Sequence, residues 1–97
     1  MINSKERAYL RKLANGYPVI FRVGKGGITP EFTNSVSDAL EARELVKIGV
    51  LDNCGLDVKE IAQTVSARTK SDVVQVIGSK IVLYRRSKKK QIIEFDF

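Results

Sequence analysis

The stretch from Pro18 to Val50 constrains the fold more than any other part of this sequence, because it encodes a strand, a helix and a strand in close succession. Pro18-Val19-Ile20-Phe21-Arg22-Val23 is short, rich in β-branched residues and followed by glycines, the pattern of a strand ending in a turn. Thr29 followed by Pro30 suits an N-cap with proline at the first helical position. Phe32, Val36 and Leu40 then recur every four residues, so a helix runs to the neighbourhood of Arg43. Leu45-Val46-Lys47-Ile48-Gly49-Val50 returns to strand composition. Two strands joined through a helix favour parallel pairing with a right-handed crossover, so the chain must build a sheet and cover it with helices.

The flanks extend this unit. Asn3 with Glu6 resembles a capping box, and Tyr9, Leu10, Leu13 and Ala14 follow at helical spacing until Gly16 offers a stop. Asp52-Asn53-Cys54-Gly55 reads as a loop. Asp57 and Glu60 repeat the capping-box pattern around Val58, Ile61, Ala62 and Val65, which mark a third helix. Val73–Ile77 and Ile81–Arg85 flank Gly78-Ser79-Lys80, a hairpin with a glycine-led turn. The expectation is an α/β fold of order αβαβαββ, with a mixed four-stranded sheet packed against helices. A chain of 97 residues has material for one core. The reading is a single domain over residues 1–87 and a tail over residues 88–97. The tail is basic through Lys88-Lys89-Lys90 and then apolar through Ile92, Ile93, Phe95 and Phe97, which leaves docking, strand extension and disorder open.

The net charge of +6 is unevenly placed. Residues 1–25 carry Lys5, Arg7, Arg11, Lys12, Arg22 and Lys25 against Glu6 alone, residues 26–79 are net acidic, and residues 80–97 are again strongly basic. If the two ends of the chain meet in space they form one basic surface, the footprint of a polyanion binder; solvating charge gives the same count.

Other classes drop out. No apolar run approaches the roughly 20 residues of a membrane span. The start Met1-Ile2-Asn3-Ser4-Lys5 lacks the apolar core of a signal peptide, so a cytoplasmic location is expected. Cys54 is the single cysteine and histidine is absent, so neither an internal disulfide, a zinc cluster nor a histidine-based triad can be assembled. No metal, cofactor or small-molecule substrate is expected.

The glycines of residues 24–27 invite nucleotide readings that fail on spacing. A dinucleotide fingerprint from Gly24 needs glycine at position 29, which is Thr29; a P-loop needs Ser or Thr after Gly-Lys, where Gly26 stands. What remains is Gly-x-x-Gly, Gly24 to Gly27, carrying Lys25 between a strand and a helix. Glycines without a Cβ let another backbone approach, and this is how KH-type loops clamp single-stranded nucleic acid; glycines that merely turn the chain look the same.

Period-two alternation places Val19, Phe21 and Val23 on one strand face, with Val46, Ile48 and Val50 and with Val74 and Val76, to meet the helices. The other face then mixes apolar positions with Arg22, Lys47 and Gln75, and reads either as an RNA surface or as an ordinary solvent-facing one. Arg85-Arg86-Ser87-Lys88-Lys89-Lys90 puts five cations in six residues, enough for several phosphate contacts. Tyr17 and Tyr84 read as base-stacking rings or as core and rim residues.

Val23-Gly24-Lys25-Gly26-Gly27-Ile28-Thr29, Glu44-Leu45-Val46-Lys47, Glu60-Ile61-Ala62 and Val74-Gln75-Val76-Ile77-Gly78 through Val82-Leu83-Tyr84-Arg85 form a connected series. Together they closely resemble the CRM domain, named for chloroplast RNA splicing and ribosome maturation, and its stand-alone bacterial YhbY-like members. The resemblance covers residues 3 to 87. It implies a fold similar to the C-terminal domain of translation initiation factor three, RNA contact at Gly24, Lys25, Gly26 and Gly27, and association with large-subunit ribosomal precursors. Two departures stand out: Arg43 occupies a position where members often have histidine, and Gly49 one where a basic residue is usual.

The functional expectation is thus a non-enzymatic RNA-binding protein, a monomer, that meets ribosomal RNA or large-subunit precursor particles. Its contacts are expected from Gly24, Lys25, Gly26 and Gly27 together with Arg22, Lys47, Lys5, Arg11, Lys12, Arg85 and Arg86. The alternatives are a module docking an acidic protein, and a hydrolase using Asp38 and Glu41, whose i, i+3 spacing also suits a solvated helix face.

Overall fold

The computed structural model describes residues 2–95, so Phe97 of the apolar tail, with Met1 and Asp96, lies outside the described residues. The elements follow the expected order: α1 (Ser4–Ala14), β1 (Val19–Val23), α2 (Pro30–Arg43), β2 (Leu45–Val50), a 3-10 turn (Asp52–Cys54), α3 (Val58–Thr69), β3 (Asp72–Ile77) and β4 (Lys80–Tyr84). The Asn3–Glu6 capping box forms in full, and the Thr29 side chain accepts from the Phe32 N–H ahead of Pro30. Asp57 occupies the N-cap of α3, but its side chain makes no capping bond, so the second capping box is not built. Apolar spacing places α3 without it: Ile61, Ala62 and Val65 are all buried.

The strands form one sheet in the order β1-β2-β4-β3. β1 and β2 run parallel, as the crossover requires, while β4 pairs antiparallel with both β2 and β3. On one face, Val36 and Leu40 of α2 and Ile61, Ala62 and Val65 of α3 pack on Val23, Val46, Ile48, Val50, Ile81 and Leu83. Burying an aliphatic side chain of this kind contributes about 1.5–3 kcal/mol.

The second face departs from expectation. It is covered across much of its area by α1, whose Leu10 and Ala14 pack with Leu45, Val74, Val82, Tyr84 and the tail residue Ile93. Simple alternation also fails at two places. The register slips between Val73 and Gln75, so Val74 turns to the α1 side while Val73 and Val76 pack toward α2 and α3. A β-bulge of this kind sets two residues against one and breaks the period of two. Arg7 of α1 donates to the carbonyls of Val73 and Val74 at the bulge, satisfying acceptors there. A second slip between Val19 and Phe21 pairs Val19 with Lys47 but Phe21 with Ile48, so Val19 parts company with Phe21 and Val23.

The tail docks along this face. Tyr9 and Tyr84 each set a ring edge-on to Phe95, at 5.7 and 6.0 Å between centroids. Its anchor is Glu44, fully buried at the end of α2. The Glu44 carboxylate accepts backbone N–H groups of Ser87 (2.6 Å), Ile92 (3.0 Å) and Ile93 (2.6 Å). Glu44 also ends α2 with φ of 68°, a conformation that costs a non-glycine residue about 1–3 kcal/mol. The surrounding bonds over-determine it: its N–H donates to Leu40 O, and its own carbonyl accepts from Arg85 N–H.

Candidate nucleic-acid interface

Because β1 and β2 are parallel, their C-terminal ends lie side by side, and three loops converge there. The Leu51 N–H donates to Val23 O at 2.8 Å, joining the loop after β2 to that after β1, and the Val50 N–H donates to Ser79 O at 2.7 Å, adding the hairpin turn. Gly24 to Gly27 is closed by a single bond from the Gly27 N–H to Gly24 O, 2.9 Å. The glycines serve different ends. A Cβ on Gly24 would lie 3.3 Å from Leu51 Cδ1, so Gly24 permits loop packing. A Cβ on Gly26 would meet nothing within 4 Å, and Gly27 holds φ of +69°, which L side chains rarely adopt. Open space above the Gly26 backbone is what close approach of another chain needs.

Exposed cations lie in this turn and along the strand row beside it. Lys25 is exposed at its tip, and Arg22 is exposed on β1. Arg22 pairs with Gly49 and Gly49 with Lys80, so the three form one row across the sheet. A Cβ on Gly49 would sit 3.2 Å from Val19 Cγ1 and 3.7 Å from Arg22 Cγ, so the position that lacks a basic residue is crossed by the stem of Arg22. Lys80, exposed at the end of the row, was missed by sequence reasoning, which took it as a turn residue; its pairing with Gly49 is not a local signal. Leu51 and Leu56 lie exposed in the loop after β2, and Leu56 with Ile28, Glu60, Ile61, Thr64 and Arg68 lines a groove of about 280 Å³ between that end of the molecule and α3.

The other expected contacts are dispersed. Lys5, Arg11 and Lys12 lie exposed along the outer side of α1. Lys47 is half-buried and its Nζ donates to Tyr17 O at 3.2 Å. Arg85 turns inward: its guanidinium donates to Ser37 Oγ, Ser37 O and Thr69 O at 2.7–2.9 Å, tying β4 to α2 and the end of α3. Arg86 is exposed and donates to the Gln91 side chain, at the end of the sheet opposite the glycine turn. Tyr84 is buried under α1, where burial and then the nearby Glu44 charge push its phenol above the usual range.

Of Asp38 and Glu41, Glu41 is engaged with the start of the tail. Glu41 accepts from Ser87 Oγ at 2.6 Å and from the Lys88 and Lys89 N–H groups. The Ser87 hydroxyl, followed by the Lys88 amide, holds its carboxyl below the ordinary carboxylate value. Its base strength is thereby reduced.

The fold defines a class, a small α/β domain with an exposed glycine turn and exposed cations in it and on the strand row beside it. The family model of the CRS1/YhbY (CRM) domain matches residues 2–85, and the chain belongs to that family. It is 42% identical over 94 residues to the "Probable RNA-binding protein YqeI" of Bacillus subtilis, covering 97% of this chain and 98% of that one. A Haemophilus influenzae "RNA-binding protein" is 29% identical over 91 residues, 94% of this chain and 92% of its own. The solution structure of SAV1595 from Staphylococcus aureus superposes with a TM-score of 0.77 at 45% identity, covering 97% of this chain and 98% of that one. Among the described residues no helix is long and apolar enough to cross a membrane.

Proposed function

We propose that this protein binds RNA through the end of the sheet where Gly24 to Gly27 turns, and serves in the cytoplasm as a non-enzymatic assembly factor on large-subunit ribosomal precursors. The observation that carries the reading is the open backbone at Gly26, where a Cβ would meet nothing within 4 Å, with Lys25, Arg22 and Lys80 exposed around it. A phosphodiester backbone approaches the turn closely, Lys25 supplies a charge contact, and Arg22 and Lys80 extend it along the sheet row. Arg11 and Lys12 widen the basic field. Arg85 and Lys47 contribute by holding the fold, since their cationic ends are engaged within it. The RNA-binding names of the two relatives support the ligand, and the family resemblance supports the ribosomal setting.

The test is binding of the purified protein to a large-subunit ribosomal RNA fragment across a salt series. Lys25→Ala weakens binding several-fold and lowers the salt slope by about 0.7, the value for one contact to a single strand. Gly26→Asp and Gly27→Asp weaken it more, and Gly26→Asp is the cleaner of the two because Gly27 holds φ of +69° whereas Gly26 lies outside the positive-φ set. Unchanged affinity in these folded variants would sink the mechanism. Co-purification with ribosomal particles that survives ribonuclease would point instead to docking on an acidic protein.

A further inference from the structure

We propose a second RNA-contacting site at the opposite end of the molecule, formed by the turn Lys88-Lys89-Lys90 and a neighbouring groove lined by Tyr17, Pro18, Ala42, Arg43 and Ile92, with single-stranded RNA as its ligand. It rests on the RNA-binding reading above and adds a surface separate from the glycine turn. The separation follows from topology. β4 ends at Tyr84 opposite Leu45, the start of β2, whereas the glycine turn packs beyond Val50, its end. Six residues of strand set the two ends about 20 Å apart.

A run of lysines is ordinarily a mobile, solvated segment. Here its backbone is fixed. The Ser87 N–H donates to Glu44, the Lys88 and Lys89 N–H groups to Glu41, and the Lys90 N–H to Ser87 Oγ. The carboxylates are occupied by these amides, by the Ser87 hydroxyl and by Arg85, 3.9 Å from Glu41. Among the described residues, none of the three lysines is ion-paired, and all three are exposed. Cations on an ordered backbone bind with less ordering cost than cations on a loose tail.

The same clamp builds the groove. The Ile92 N–H donates to Glu44 Oε1 at 3.0 Å, and the Ile92 side chain, 46% exposed, lines a groove of about 370 Å³ with Tyr17 and Pro18 ahead of β1 and Ala42 and Arg43 at the end of α2. A groove with an aromatic ring and an arginine takes an unstacked base, and the adjoining lysines take its phosphates. A duplex supplies the phosphates but keeps its bases stacked, so the pairing of groove and lysines selects a single strand.

The experiment uses the full chain and fluorescent oligouridylates of increasing length. Wild-type affinity rises steeply once the oligomer reaches both ends of the molecule, since the second contact becomes intramolecular. Replacing Lys88, Lys89 and Lys90 together by alanine abolishes that rise and lowers the salt slope for long oligomers by about 2, three contacts at about 0.7 each. Tyr17→Ala also abolishes the rise, whereas Tyr17→Phe keeps it, because stacking needs the ring and not the hydroxyl. Because the three lysines are exposed, that variant folds and keeps the proposal testable if Tyr17→Ala does not. Equal weakening at every length in the lysine and the glycine-turn variants alike would mark diffuse charge attraction and overturn the proposal, as would no weakening by the lysine variant at all. Loss of ribosomal-particle association with RNA affinity intact would assign this surface to a protein partner, and also overturns it. Neutral glycine-turn variants beside damaging lysine variants would remove the first site and leave the second standing.

Discussion

The two ends of the sheet differ in what the fold holds fixed. At the glycine turn, one backbone bond closes the loop, the space above Gly26 is empty, and Lys25 stands exposed. At the tail end, the carboxylates of Glu41 in α2 and of Glu44, which caps it, collect the amides of residues 87–89 and 92–93, and Glu44 keeps a positive φ to do so. One end offers backbone that can be approached; the other offers side chains whose backbone has already been ordered. A basic count alone treats these ends as equivalent, and the structure separates them.

The largest loss is expected at Glu44. Glu44→Ala strands three inward-facing amides, and removing the acceptor from charged hydrogen bonds in a buried setting costs about 3 kcal/mol or more. Urea denaturation reads that loss, and hydrogen exchange at residues 87–93 rises with it. A loss below about 1 kcal/mol would show that the tail is held by its apolar contacts instead.

The next effect sharpens the contrast within the turn. Gly27→Ala forces a Cβ into a left-handed conformation, at a cost of about 1–2 kcal/mol. Gly26→Ala has open space and lies outside the positive-φ set, so it leaves stability unchanged or raises it slightly. Thermal unfolding of the two variants side by side checks the difference; equal losses would mean that the turn is not built as described.

The smallest effect is in pH. Glu41 has a lowered folded-state pKa, so its contribution is fully present above its ordinary value of 4.5 and is lost as pH falls through the lowered value. Acidification below that point lowers the exchange protection of the Lys88 and Lys89 amides, relative to their intrinsic rates, before the rest of the chain responds. Glu41→Gln abolishes that dependence, and an unaltered acid profile in this variant would place the transition at another carboxylate.

Much of the architecture was legible because it rests on local signals. The caps at Asn3 and Thr29, the four-residue apolar spacing of α2 and the glycine-led hairpin each act over a few residues, and each places an element. The glycine turn was legible for the same reason. Face assignment was not: the slips at Val19/Phe21 and Val73/Gln75 come from pairing with other strands, and a pattern of period two has no means of registering them. Nor could Glu44 be read, because its amide partners lie more than 40 residues away and its neighbours suggest only a charge before a strand.

The order of elements, the parallel crossover and the Gly24 to Gly27 turn follow from the chain alone, since helix caps, side-chain periodicity and glycine geometry are properties of short segments. Long-range packing closes the second sheet face with α1 and the tail, sets Arg22 and Lys80 in one row through Gly49, and turns Arg85 inward while Lys88 to Lys90 remain outside. Those outcomes depend on strand register and on which buried amides find an acceptor, and both are settled only when distant segments pack.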